Sequence, residues 1–150
     1  MIIAIASDHA ALALKSALAE HLRGLGHSVD DLGPFCENSV DYPDYGYLLA
    51  AAIADGKAER GVALCGSGIG ISIAVNRSIA VRAALVSEPL SASLARQHND
   101  ANVIAMGARL IGIDMAKACL DAFLSTEFAG DRHVARVEKL SKPIAFKEPA

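Results

Sequence analysis

Short apolar runs alternate with stretches of helical spacing along this chain, and that alternation is the strongest constraint on its fold. Ile2 to Ser7 reads as a strand. Leu14, Leu18, Leu22 and Leu25 then recur at helical spacing, and Gly26 follows as a stop. His27 to Leu32 is a second, shorter strand, and Gly33 to Asp41 is a loop. Asp41 is placed to cap a helix that carries Pro43 in its first turn and runs to about Asp55. Gly61 to Cys65 is a third strand, followed by a helix from Gly70 to Asn76. Val81 to Val86 and Asn102 to Met106 complete the strands, with helices expected over Glu88 to His98, Ile113 to Leu124 and the basic segment Asp131 to Ser141.

Strands joined by crossover helices require a parallel sheet covered on both faces. The expected fold class is therefore α/β, a three-layer, Rossmann-like αβα sandwich around a five-stranded parallel sheet. No linker, repeat or low-complexity stretch interrupts the pattern, so residues 1–150 read as a single domain, with 131–150 as helix and tail. A chain of 150 residues, 53% apolar and 21% charged, can bury a sizeable core as a compact soluble protein. A net charge of −3 offers no positive field for nucleic acid. Apolar stretches break well short of the ~18 residues of a membrane span, and Met1-Ile2-Ile3 has no basic segment before it, as a signal peptide would. Cys36, Cys65 and Cys119 are too widely spaced for a zinc knuckle or a CxxC pair, which argues against a metal or disulfide framework and for a reducing cytoplasm. Cys119 shares an apolar helical face with Met115 and Phe123 and reads as core; Cys36 lies in a loop with no assigned role.

In an open parallel sheet, ligands sit beyond the carboxyl ends of the strands. Ser7, Asp8 and His9 follow the first strand, Cys65, Gly66 and Ser67 the third, Ser87 and Glu88 the fourth, and Gly107 and Arg109 the fifth. The loop Cys65-Gly66-Ser67-Gly68-Ile69-Gly70 puts a thiol beside unblocked amides at a helix start. Such a place suits a bound or forming anion and favours a thiolate. The same loop has a bland reading, a tight turn with no ligand. A dinucleotide fingerprint requires glycine at position 71, where Ile71 stands, and the acidic residue some 20 positions on is Glu88. A Walker loop is excluded, because Gly-Lys-Ser/Thr does not occur.

Three other segments compete with ordinary structural roles. Asp8 is positioned to cap the following helix, with His9 beside it. His98 ends a helix, where its charge suits the dipole, yet Arg96-Gln97-His98-Asn99-Asp100 is more polar than a turn requires. Arg132 and Arg136 stand four apart, either on a solvated face or as a two-fork phosphate clamp.

Together these segments resemble the ribose-5-phosphate isomerase B family, which includes the galactose-6-phosphate isomerase subunits. The matching stretches are Ser7-Asp8-His9-Ala10, Asp41-Tyr42-Pro43, Cys65 to Ala74, Asn76, Arg82-Ala83-Ala84, Ser87-Glu88-Pro89, Arg96 to Asn102, Gly107-Ala108-Arg109 and Arg132-His133. The resemblance implies an aldose–ketose isomerase that uses neither metal nor other cofactor. It implies Cys65 as the base that moves a proton between C1 and C2, Ser67 at the sugar oxygens, and the backbone of Gly66, Gly68, Ile69 and Gly70 on the enediolate. His98, with Asp8 nearby, would open the sugar ring. His9, Arg109, Arg132 and Arg136 would bind phosphate, and Tyr42 and Asn99 would touch substrate. It also implies a homodimer or tetramer whose sites combine two subunits. Relatives that replace the cysteine carry a glutamate where this chain has Ile71, so cysteine chemistry fits. Departures from the family pattern at Ala11 and at Asn76-Arg77-Ser78-Ile79-Ala80 border the site. Ribose 5-phosphate leads among substrates, with allose 6-phosphate, galactose 6-phosphate or a tetrulose phosphate, or a non-catalytic sugar-phosphate-binding subunit, as alternatives.

Overall fold

The computed structural model describes residues 1–142. Five strands form one all-parallel sheet in the order β2-β1-β3-β5-β4: β1 (Ile2–Ser7), β2 (Ser28–Asp31), β3 (Arg60–Cys65), β4 (Ala83–Leu85) and β5 (Val103–Gly107). Six α-helices flank it: α1 (Leu12–Gly24), α2 (Tyr42–Ala54), α3 (Ile69–Val75), α4 (Pro89–Asn99), α5 (Ile113–Ser125) and α6 (Val134–Leu140). The C-terminal helix expected over Asp131 to Ser141 resolves into a single 3-10 turn, Asp131–His133, and α6. The expected tail beyond it lies outside the described residues.

The period-two alternation of the strands builds two unlike cores. Ile3, Ile5, Val62, Leu64, Ile104 and Met106 face Leu18 and Leu22 of α1, Ala92 of α4 and Leu120 and Phe123 of α5. Ala4, Ala6, Ala63, Cys65 and Ala105 face Leu49 of α2 and Ile71 and Val75 of α3. Large side chains fill one layer, and each fully buried Leu, Ile or Phe contributes about 1.5–3 kcal/mol. The alanines of the other layer let α2 and α3 pack close to the sheet. Those two helices also touch closely: a Cβ on Gly46 would stand 2.9 Å from the Ala74 Cβ.

Several local expectations are corrected. The strand expected over Val81 to Val86 is shortened to Ala83–Leu85. The Val81 amide is turned back to the Ser78 carbonyl, and the Arg82 amide donates to the Asn102 side chain instead of a ladder carbonyl. Asp41 occupies the N-cap of α2 without accepting a capping hydrogen bond. Cys119 is core as expected and shares its cluster with Phe123 and also Leu120, but Met115 is exposed and not part of it. Burial pushes the Cys119 thiol up, away from ionisation.

Gly107 closes β5 where the chain after β3 crosses it. A Cβ there would lie 2.5 Å from the carbonyl carbon and oxygen of Ser67, which are backbone and cannot swing away. Gly107→Ala is expected to cost about 1–3 kcal/mol of stability. Urea unfolding measures this, and an unchanged midpoint would show that the loop yields freely.

Candidate active site

The chain passes from β1 to β2 on one side of the sheet and later to β3 on the other, so the strand order reverses at β1 and opens a crevice between β1 and β3. A cavity of about 400 Å³ lies there, lined by Asp8, His9, Tyr42, Cys65, Gly66, Ser67, Gly70 and Arg109 among others. Of the residues expected beyond the strand ends, Ser7, Ser87, Glu88 and Gly107 do not line it, whereas Asp8, His9, Cys65, Gly66, Ser67 and Arg109 do.

Each is held by a local reason. Asp8 is the N-cap expected of it: its Oδ1 accepts the Ala10 amide at 2.9 Å. It is also a buried residue of the cavity wall, so capping and site placement are one arrangement. His9 Nδ1 accepts the Val40 amide at 3.2 Å. Tyr42 opens α2 and lays its ring against Gly70, where a Cβ would stand 2.5 Å from the ring carbon Cζ. The Arg109 guanidinium lies over Gly66, 3.3 Å from where a Cβ would be, and the Arg109 amide donates to the Gly66 carbonyl at 2.9 Å.

Cys65 ends β3, 4% exposed, yet it lines the cavity. Its Sγ accepts the Gly68 amide at 3.0 Å, a contact that strengthens when the sulfur carries charge. Gly68 has φ +76°, a left-handed conformation that turns that amide onto the sulfur at little cost to glycine. The loop is not a uniform cradle, because the Gly68 amide serves Cys65 and the Ile69 amide donates to Ser67 Oγ at 3.2 Å. Helix α3 begins at Ile69, so the remaining amides of its first turn, starting with Gly70, have no carbonyl one turn earlier to bond.

His98, Asn99, Arg132 and Arg136 are not brought to this cavity within one chain. Helix α4 runs back along the sheet and ends where β5 begins, whereas Cys65 pairs with Gly107 where β5 ends. Five residues of β5 put the two edges about 15 Å apart. The expected proximity of His98 to Asp8 therefore fails within a single chain. At the far edge, the His98 and His133 rings stack with centroids 4.5 Å apart and planes 10° from parallel. Desolvation pushes the His133 imidazole below the ordinary histidine range, and the like charges of His98, Arg132 and Arg136 add to the effect. The basic side chains of His98, Arg132, His133 and Arg136 thus gather at this edge, away from the cavity.

The polar run after α4 owes its length to scaffolding. Asp100 takes φ +44° and is clamped by two arginines: Arg96 Nη1 donates to its Oδ1 at 2.8 Å and Arg82 Nη2 to its Oδ2 at 3.0 Å. Arg82 Nε also donates to the Asp100 carbonyl at 2.9 Å. This clamp fixes the helix end that presents His98 and Asn99. Sequence reading missed Arg82 as its partner, although the two motifs stood together in the resemblance. Glu88 is committed to capping α4: it accepts the Ser91 hydroxyl and the Leu90 and Ser91 amides, the amides at 2.6 Å each, and these bonds, the Ser91 hydroxyl above all, hold its carboxyl below the usual range. That removes the acidic ribose ligand a dinucleotide reading needs.

A switch-point crevice with a thiol, an imidazole, a carboxylate and a guanidinium around a glycine turn defines a small-molecule enzyme of the open α/β class. The family described as Ribose/Galactose Isomerase matches residues 3–140. The chain is 43% identical over 139 residues to ribose-5-phosphate isomerase B of Escherichia coli, covering 93% of each. It is 45% identical to the D-erythrulose-4-phosphate isomerase of Pectobacterium atrosepticum, covering 92% of this chain and 91% of that one. The crystal structure of a ribose 5-phosphate isomerase from Thermotoga maritima superimposes with a TM-score of 0.92 at 48% identity, covering 94% of this chain and 97% of that one. The chain belongs to the ribose/galactose isomerase family and is a sugar-phosphate isomerase.

Proposed function

We propose that this chain interconverts ribose 5-phosphate and ribulose 5-phosphate, with Cys65 as the base. The observation that carries the reading is the Cys65 sulfur on the cavity wall with the Gly68 amide donated to it and the Arg109 guanidinium over the adjoining Gly66. In the reaction, the thiolate takes the proton from C2 of the open-chain aldose. The C2–H electron pair becomes the enediolate double bond, and the carbonyl electrons move onto O1. Free first-turn amides receive that charge, an interaction worth ~3 kcal/mol per donor in comparable oxyanion sites. The thiol returns the proton to C1 and the hydroxyl proton on O2 passes to O1, giving the ketose with no change in composition. Ser67 hydrogen-bonds the sugar oxygens, and Tyr42 packs along the chain of carbons.

Ring opening needs a group that exchanges protons near neutral pH, and His98 has that chemistry. Because His98 lies at the far sheet edge of its own chain, the reading requires a homodimer in which a second copy lends His98, Asn99, Arg132 and Arg136 to the cavity holding Asp8, His9, Cys65 and Arg109. Exposed apolar residues suit that contact: Leu110 lines the cavity beside Arg109, and Ile69 and Ile73, 50% and 51% exposed, lie four apart on one face of α3, the helix that carries the cavity residue Gly70. The expected single-domain organisation and a cytoplasmic location belong to the same reading; no helix of the described residues is long and apolar enough to cross a membrane.

The test is turnover across four-, five- and six-carbon aldose and ketose phosphates. Ribose 5-phosphate is expected to give the highest kcat/KM. A preference of more than ~10-fold for a tetrulose phosphate, allose 6-phosphate or galactose 6-phosphate, which is ~1.4 kcal/mol in the transition state, reassigns the substrate. Tight binding without turnover of any of them identifies a non-catalytic subunit.

A further inference from the structure

Lys15 is one of the largest fully buried side chains among the described residues, and the proposed reaction leaves it unused. It is 1% exposed, lies on α1 between the core residues Leu14 and Leu18, and is absent from the cavity lining. Burying an ammonium is unfavourable unless every donor is satisfied, and an apolar residue of the same length would fill the space more cheaply. Here all directions of the ammonium are used. Nζ donates to Asp31 Oδ1 at 2.5 Å and to the Pro34 carbonyl at 2.8 Å, and it sits 4.8 Å from the centroid of the Phe35 ring.

Those partners lie at the end of β2 and in the loop that follows it. Asp31 Oδ1 also accepts the Gly33 amide at 2.9 Å, and the Gly33 carbonyl accepts the Ser7 amide at 3.0 Å. Residues 33–35 are thereby fastened to α1 and to the end of β1. Phe35, 77% exposed, stays on the surface above the cation. The other end of this loop delivers the Val40 amide to His9 Nδ1 and then leads into α2, whose first residue is Tyr42. One buried cation thus anchors the loop that touches two cavity residues.

We propose that Lys15 is a positioning residue: through the 33–40 loop it holds the Val40 amide on His9 Nδ1, so that His9 meets its ligand as an Nε2–H donor. An Nδ1 that accepts a backbone N–H leaves the proton of the neutral ring on Nε2. The ring then offers the cavity a donor and not a lone pair. It suits an oxygen acceptor such as a phosphate oxygen, and it cannot take a proton from carbon. His9 is thereby excluded as base, which leaves Asp8, Tyr42 and Cys65 as the other proton-transfer groups on this wall.

The inference deepens the isomerase reading, but its first test needs no turnover. In the ligand-free, 15N-labelled protein, His9 Nδ1 is expected to be unprotonated and to show a through-hydrogen-bond nitrogen–nitrogen coupling to the Val40 amide. The signal is assigned by its loss in His9→Gln. Protonated Nδ1 overturns the proposal even in a fully active isomerase, and the coupling stands even if no sugar phosphate is turned over. In Lys15→Met the coupling is expected to vanish and exchange of the Val40 amide to quicken ~10-fold or more. KM for the sugar phosphate should rise ~10-fold with kcat within ~2-fold, because a ligand contact and not the proton transfer is loosened. Asp31→Asn, which removes the charge that holds the ammonium, should shift all three in the same direction if Lys15→Met does not fold. A lowered melting temperature with Val40 exchange and KM unchanged in either variant would reduce Lys15 to a structural residue and overturn the proposal.

Discussion

Cys65→Ala protein is expected to bind ribose 5-phosphate almost as well as the parent and to lose turnover by about 10²–10⁴-fold, the usual worth of a positioned proton-transfer group. The cavity wall explains both halves. In the proposed reading, phosphate recognition falls to His9 and Arg109 together with Arg132 and Arg136 of the second copy; neither His9 nor Arg109 hydrogen-bonds Cys65, so removing the sulfur leaves them in place. The Gly68 amide loses its acceptor, a buried hydrogen bond whose loss costs about 1–3 kcal/mol of folding stability and no substrate contact. Cys65→Ser sharpens the test. The hydroxyl keeps the hydrogen bond and nearly the volume, yet at neutral pH it holds its proton far more firmly than a thiol does. It should therefore fail as completely as alanine. Exchange of solvent deuterium into C2 of the substrate reports the same step without needing product, and it should disappear in both variants. Substantial turnover or exchange in either one would remove the sulfur from the mechanism.

Much of this site was legible before any coordinates, for a reason that can be stated residue by residue. Strands β1, β3 and β5 are buried on both faces, so Ile2 to Ser7, Gly61 to Cys65 and Asn102 to Met106 read as unbroken apolar runs. Their ends in turn located Asp8, His9, Cys65 and Arg109. The glycine turn was legible because its close approaches exclude side chains: Gly68, Gly70 and Gly107 each face another atom at 2.7 Å or less from where a Cβ would be. What stayed hidden was whatever depends on a partner distant in sequence. Nothing in α1 announces that Lys15 turns inward, since its three partners lie 16 to 20 positions on. Arg82 was read as strand because the residues around it are apolar; its bonds to Asp100 and the Asn99 carbonyl override that tendency. His98 was recognisable as functional, but a motif carries no information about which edge of the sheet its helix ends on.

That last point leads to the outcome with the most contrast. Cys65→Ala and His98→Gln proteins should each be nearly inactive alone, and a mixture in which subunits have exchanged should recover about a quarter of parental activity. The arithmetic follows from the topology. If each cavity joins Cys65 of one chain to His98 of the other, a mixed dimer holds one doubly defective cavity and one with both native side chains. Random exchange at equal amounts makes half of the dimers mixed, and each of those works at one of its two sites. A cavity built within one chain predicts no recovery, since every chain then carries a defect in its own site. The geometry favours the first case, because α4 delivers His98 to the strand edge opposite Cys65 and the Arg82–Asp100–Arg96 clamp holds it there. His98→Gln is preferred to alanine because a planar amide can still lie against the His133 ring. Mixed dimers verified by mass that stay inactive would defeat the two-chain cavity, and the ring-opening group would then have to be sought among Asp8, His9 and Tyr42 on the same wall.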